Sequence, residues 1–152
     1  MAKSGRLYSG TLKNSKFYLA WQITNQSIEN NYSDISWSAG LNISHWDEWY
    51  SNAVKINNIY INGTKVFSGG TYSNVTGNGD HELKSGTARI YHDSDGSKNF
   101  SASISGWLYS YGNTSGSKEF TLNSISRYAI ISSANDFNDE SNPIIGYSNP
   151  LR

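Results

Sequence analysis

Between Tyr32 and Ile43 the chain alternates strictly: Ile35, Trp37, Ala39, Leu41 and Ile43 are separated by Ser36, Ser38, Gly40 and Asn42, with Asp34 ahead of them. Successive side chains of an extended strand point to opposite faces, so a period of two gives one apolar and one polar face, and it matches no helical stripe. The segment Lys16 to Thr24 repeats the pattern, with Phe17, Leu19, Trp21 and Ile23 on one side. Two strands of this kind cannot bury their apolar faces by themselves. A second layer must cover them, and Trp21 and Trp37 are the expected anchors of the core between the layers.

The same period recurs along most of the chain. Arg6 to Leu12 predicts a short first strand. Ala53 to Ile61 and Thr64 to Ser68 predict a hairpin across Asn62-Gly63, a pair suited to the left-handed turn that joins twisted strands. Gly69 to Asp80 reads as a polar loop. Glu82 to His92 and Ser97 to Tyr111 predict a second hairpin closed by Asp93-Ser94-Asp95-Gly96, and Ser117 to Leu122 a last strand. The chain holds 26 Ser, 18 Asn, 11 Tyr and 5 Trp, with only 16% charged residues, which suits polar-faced strands and tight turns and does not suit disorder. The expected class is all-β: an antiparallel β-sandwich, jelly-roll or Ig-like, of about eight strands. It occupies residues 1–125, with 126–152 a C-terminal extension or the start of a following domain.

Several functions are disfavoured at once. The chain has no Cys, which removes disulfides, thiolate metal sites and Cys nucleophiles. Its formal net charge is zero, against a nucleic-acid partner, since phosphate binding needs a basic excess. No apolar run is long enough for a membrane span, and Met1 to Tyr8 lacks the apolar core of a secretion signal. Seven Asn-x-Ser/Thr triplets occur, at Asn25, Asn31, Asn42, Asn62, Asn74, Asn99 and Asn113, and follow from the Ser- and Asn-rich composition.

Two clusters are candidate binding sites. In Phe100 to Tyr111, one face (Phe100, Ala102, Ile104, Gly106, Leu108) is core-like, while the other runs Ser101, Ser103, Ser105 and then Trp107, Tyr109 and Tyr111. Three large rings thus fall where solvent is expected. Flat rings beside hydroxyls and amides suit a sugar, whose C–H face stacks on the ring while polar groups bond its hydroxyls. The competing reading covers the rings with a loop, with the C-terminal tail or with a neighbouring subunit. The second cluster is the loop His45-Trp46-Asp47-Glu48-Trp49-Tyr50, where Trp46, Asp47, Trp49 and Tyr50 would form a second edge of the same site. Here the competing reading is a turn whose Trp plugs the end of the sandwich.

Catalysis is not expected. Asp47 and Glu48 are adjacent and would diverge on a strand rather than flank a glycosidic bond. His45, His81 and His92 are dispersed, and no Gly-x-Ser-x-Gly elbow occurs. Asp93-Ser94-Asp95-Gly96 lacks the remaining acids of a calcium loop, and Lys98 would repel an ion, so no metal and no cofactor are expected.

The run Tyr91-His92-Asp93-Ser94-Asp95-Gly96-Ser97-Lys98-Asn99-Phe100-Ser101 resembles the His-x-x-Asp-Gly-x-Lys hairpin of minor structural proteins in the tail or baseplate of bacteriophages of Gram-positive hosts. The Ile56 to Phe67 hairpin and the Phe120 to Arg127 segment fall where that pattern puts them, so the resemblance covers residues 5–127 or so. The stretch Tyr128 to Pro150 resembles the junction into a further sandwich domain. The resemblance implies a β-sandwich on a phage tail tip or baseplate that attaches to the host surface beside other tail proteins, made in the host cytoplasm and released by lysis; with the aromatic clusters, the expected ligand is host cell-wall polysaccharide. It brings no catalytic or binding residues with it. The alternative function is a tail-tip assembly module using the same aromatics as a protein interface, which leaves room for a homo-oligomer.

Overall fold

The computed structural model describes residues 2–46, 48–50 and 53–127. Ten strand segments run through it: β1 (Ser4–Tyr8), β2 (Ser15–Ser27), β3 (Tyr32–Ile43), β4 (Trp49–Tyr50), β5 (Val54–Ile61), β6 (Thr64–Tyr72), β7 (Val75–Thr76), β8 (Gly79–Tyr91), β9 (Asn99–Leu108) and β10 (Gly112–Thr121). Eight of them build two four-stranded antiparallel sheets, β1-β2-β3-β8 and β10-β9-β5-β6, and β4 pairs with β7. The chain is an all-β sandwich.

The alternating residues meet between the sheets. Phe17, Leu19, Ile35, Leu41, Ile59, Ile104 and Leu108 are fully buried, and Trp21 and Trp37 are about 95% buried. Trp21 stands edge-on to Phe100 and Phe120, with ring centroids 5.2 and 5.3 Å away. Gly106 faces the Phe17 ring, which fills the space its side chain would take. One flank of the sandwich is stitched shut by backbone. Gly10 N–H donates to Ser115 O (3.2 Å), Ala2 N–H to Thr121 O (2.8 Å) and Asn123 N–H to Ala2 O (2.8 Å). On the other flank β8 and β6 are edges, where the Lys84 ammonium reaches to 5.0 Å over the Phe67 ring.

Four expectations change. Gly69 to Asp80 is not one polar loop: β6 runs on to Tyr72, β8 begins at Gly79, and between them Val75 is buried against the core. The first strand is Ser4–Tyr8, displaced towards the N-terminus because its ladder with β2 pairs Ser4 with Gln22 and Tyr8 with Tyr18. The last strand is longer, since β10 pairs with all of β9 from Gly112 onward. Lastly, β8 and β9 do not form a hairpin. β8 bonds to β3 and β9 to β5 and β10, so 92–98 is a corner that carries the chain from one sheet to the other. The Asn62-Gly63 turn is as expected, with both residues left-handed (φ 54° and 78°). Of the C-terminal extension, 128–152 lies outside the described residues. Leu122 and Ile125 are buried in the sandwich, so the module continues through them.

Candidate functional site

Antiparallel order sorts the connections into two ends. At the corner end lie 28–31, 62–63, 92–98, Ala2 and the stretch 122–127. At the loop end lie 9–14, the β3–β5 connection, 73–78 and the β9–β10 turn 109–111. The two aromatic clusters, some sixty residues apart in sequence, therefore share one end of the sandwich.

Trp107 closes β9 on the outer face, between Lys55 of β5 and Asn113 of β10 in register. Its ring is half-buried, with the Lys55 ammonium 5.0 Å from its centroid, and Tyr109 stands edge-on at 6.2 Å. Beside it the Asn57 amide donates to Asn113 Oδ1 (3.0 Å). A stacking surface flanked by an ammonium and two amides is the chemistry expected of a polyol site. Tyr109 and Tyr111 do not continue the strand face. The strand stops at Leu108, Ser110 is left-handed (φ 70°), and Tyr111 N–H donates to Leu108 O, so the two rings sit on a three-residue hairpin tip. Both are exposed there, Tyr109 by 66% and Tyr111 by 41%.

The β3–β5 connection divides its aromatics. Trp46 is 72% exposed. Tyr50 is 5% exposed and presents no ring face: its hydroxyl meets Ser15 Oγ at 2.9 Å and Glu48 Oε1 at 3.4 Å. Core burial takes this ring because Tyr50 pairs with buried Val75 across β4 and β7. Tyr50 is thus a floor beneath the loop end and not part of its edge. Trp49 is placed on β4 opposite Thr76, and Asp47 lies outside the described residues.

Sequence reasoning missed the residue that joins the clusters. Lys13, left-handed in the β1–β2 connection (φ 56°), pairs with Glu48 at 3.2 Å and brings its ammonium to 5.8 Å from the Tyr111 ring. The Asn14 amide donates to the same carboxylate oxygen, Glu48 Oε2, at 3.2 Å. Burial pulls the Glu48 carboxyl up, but the hydrogen bonds from Lys13 and Asn14 outweigh it and hold it below the usual carboxylate range. The hydrogen bond to Glu48 raises the Lys13 ammonium in turn. Nothing local in Gly10 to Asn14 signals this role, since it depends on which loops the topology gathers.

The run that carries the family resemblance has a structural use. His92 is buried in the 92–98 corner, its Nε2 2.6 Å from Ser33 Oγ and its Nδ1 2.8 Å from Gly96 O. Gln26 Nε2 donates to the same Ser33 hydroxyl, and Ile125 N–H to the same Gly96 carbonyl. Asp95 Oδ1 accepts from Ser97 N–H (3.0 Å). His, Asp and Gly at these spacings fix how β8 crosses to β9, away from the aromatic end.

In comparison with known proteins, no family model matches the chain, and no curated protein sequence matches it either.

Proposed function

We propose that the chain is a non-catalytic carbohydrate-binding module of a phage tail protein, acting from the virion on cell-wall polysaccharide of the host surface. The observation that carries the binding reading is the convergence of Trp46, Trp107, Tyr109 and Tyr111 at one end of the sandwich, three of them with exposed rings. Trp49 and Asp47, neighbours of Trp46 in sequence, are proposed as further contacts of the same ligand. The tail assignment rests on the resemblance of Tyr91 to Ser101, and implies other tail proteins as neighbours.

Three of the acids among the described residues are engaged by cations. Asp34, Glu48 and Asp80 are each ion-paired, with Arg89, Lys13 and Arg6. All three are held below the usual carboxylate range, so none is a proton donor near neutral pH. A stacked ring adds about 0.5–1.5 kcal/mol, so one module binds weakly, about millimolar to micromolar, and many copies on one particle supply adhesion.

The test is a titration of purified Gram-positive cell-wall polysaccharide against the chain and Trp107→Ala. Saturable binding that Trp107→Ala weakens about two- to tenfold, with an unchanged amide spectrum, is expected. No binding across several wall types, together with a stable oligomer in sedimentation that shields Trp107, would instead make the aromatic end an assembly interface.

A further inference from the structure

The outer face of the β1-β2-β3-β8 sheet holds a recess of about 560 Å3, within the range of ligand-sized sites. Its floor is two rows of cross-strand partners: Ala20, Ser38 and Ser85, then Gln22, Ser36 and Thr87. Strand and residue spacings make that floor roughly 10 Å across the strands and 7 Å along them. Strands favour β-branched and aromatic residues, yet here a small or unbranched residue holds five of six places.

Bulk returns on both sides. Towards the loop end, Arg6 stacks on the Tyr18 ring at 4.4 Å and reaches across the sheet to Asp80, which also takes the Asn42 amide at 2.8 Å. Towards the corner end, Arg89 pairs with Asp34 at 2.8 Å and lies 3.8 Å over the Tyr32 ring. The depression is therefore bounded by two cross-strand ion pairs, each braced by a tyrosine.

We infer that this recess is a second binding site, for a stretch of polysaccharide that carries no negative charge. Three features select that occupant. On the floor, main-chain groups of β2 and β3 are engaged in ladders on both sides, so a peptide lying across those strands would find no backbone partners. Tryptophans 21 and 37 turn inward and are buried, leaving the Ala20 methyl as the only apolar side chain on the floor, which disfavours a lipid or hydrophobic peptide. Hydroxyls and the Gln22 amide both donate and accept, as sugar hydroxyls do. Charge decides the rest: both arginines are neutralised by their own partners, whereas Glu82, on the wall, makes no ion pair among the described residues. An anionic polymer would meet that carboxylate unopposed. The site shares its ligand class with the loop end but none of its residues, so either can fail alone.

The test is amide-resolved NMR titration of the full chain with laminarihexaose, cellohexaose and maltohexaose, and with hexagalacturonate as the acidic probe. At least one neutral hexasaccharide is expected to shift the amides of Ser36, Ser38, Ser85 and Thr87, equally in Trp107→Ala. Ser38→Tyr, which fills the floor, should weaken that binding about tenfold, the worth of one or two hydrogen bonds. If Ser38→Tyr fails to fold, Ser85→Tyr on the edge strand replaces it. Glu82→Gln should let hexagalacturonate in. Shifts confined to the Trp107 indole and 109–111 would overturn the recess and leave the loop end standing. Loss of response in Trp107→Ala at both places would reduce the two to one site, and no response anywhere would sink both. Binding of hexagalacturonate by the unaltered recess as tightly as the neutral sugars would also refute it.

Discussion

The two ends of the sandwich use polar residues in opposite ways. At the corner end a buried imidazole, a serine hydroxyl and a glycine carbonyl satisfy one another, and the Ile125 amide joins them. Such a network fixes one geometry, because each buried group left unpaired costs free energy. At the loop end the comparable contact, Lys13 with Glu48, lies at the surface, and the large rings around it face water. The corner therefore carries architecture, and the loop end carries surface for a ligand. Substitutions at the first should change stability and leave binding alone, while exposed positions at the second should do the reverse.

The largest effect is expected from Gly96→Ala. Gly96 has φ 88°, which L side chains rarely adopt, and a Cβ there would collide with the Ile125 carbonyl. Strain and backbone displacement together should cost about 3 kcal/mol or more. Chemical denaturation would record it as a lower midpoint with an unchanged slope. A variant as stable as the parent would show that the corner is not held as described.

Tyr50→Phe probes the boundary between the two regimes. Its ring packs in the core under the loop end, and its hydroxyl is bonded to buried Ser15. Removing the hydroxyl leaves the Ser15 oxygen without that partner, so about 1–2 kcal/mol of stability should be lost. Saccharide binding should be unchanged, because the ring is not presented to solvent. Weakened binding at full stability would return Tyr50 to the ligand edge and blur the distinction between the ends.

The strands were legible because each has a buried and a solvated face: β3 runs over the residues its alternation marks, and the core tryptophans are where that pattern puts them. Pairing was less legible. The Asp93 to Gly96 turn has the composition of a hairpin, and only the long-range ladders of β8 with β3 and β9 with β5 separate a corner from a hairpin. At the candidate site, the exposure of Trp46, Tyr109 and Tyr111 could be anticipated from rings at the end of polar runs. The burial of Tyr50 could not, since it depends on Val75, a residue in a stretch too polar to read as a strand. Likewise the recess was hidden in plain alternation: Ser36 and Ser38 announce a polar face, but small size becomes a depression only once Ala20 and Ser85 lie alongside.

The smallest effect, and the one that sharpens the comparison most, is the acid response of the Lys13–Glu48 contact. A carboxyl lowered in the folded state stabilises it above its unfolded pKa and ceases to do so as pH falls through the folded value. Lys13 has the opposite sign: its raised pKa gives stability below the unfolded value, lost only in strong alkali. The pair is thus complete at neutral pH and is lost on the acid side, below the ordinary glutamate range. Glu48→Gln should be slightly less stable than the parent at pH 7, by less than Tyr50→Phe, and the gap should close as pH is lowered. Asp34 and Asp80 titrate in the same direction in both proteins, so only the difference between parent and variant isolates the loop end. High salt should shrink the same gap, because the Lys13 side chain is 47% exposed and the contact is screened. A gap that persisted at low pH would mean that Glu48 acts through its shape and hydrogen bonds to Asn14 and Tyr50, and the loop end would then resemble the corner more than its exposed rings imply.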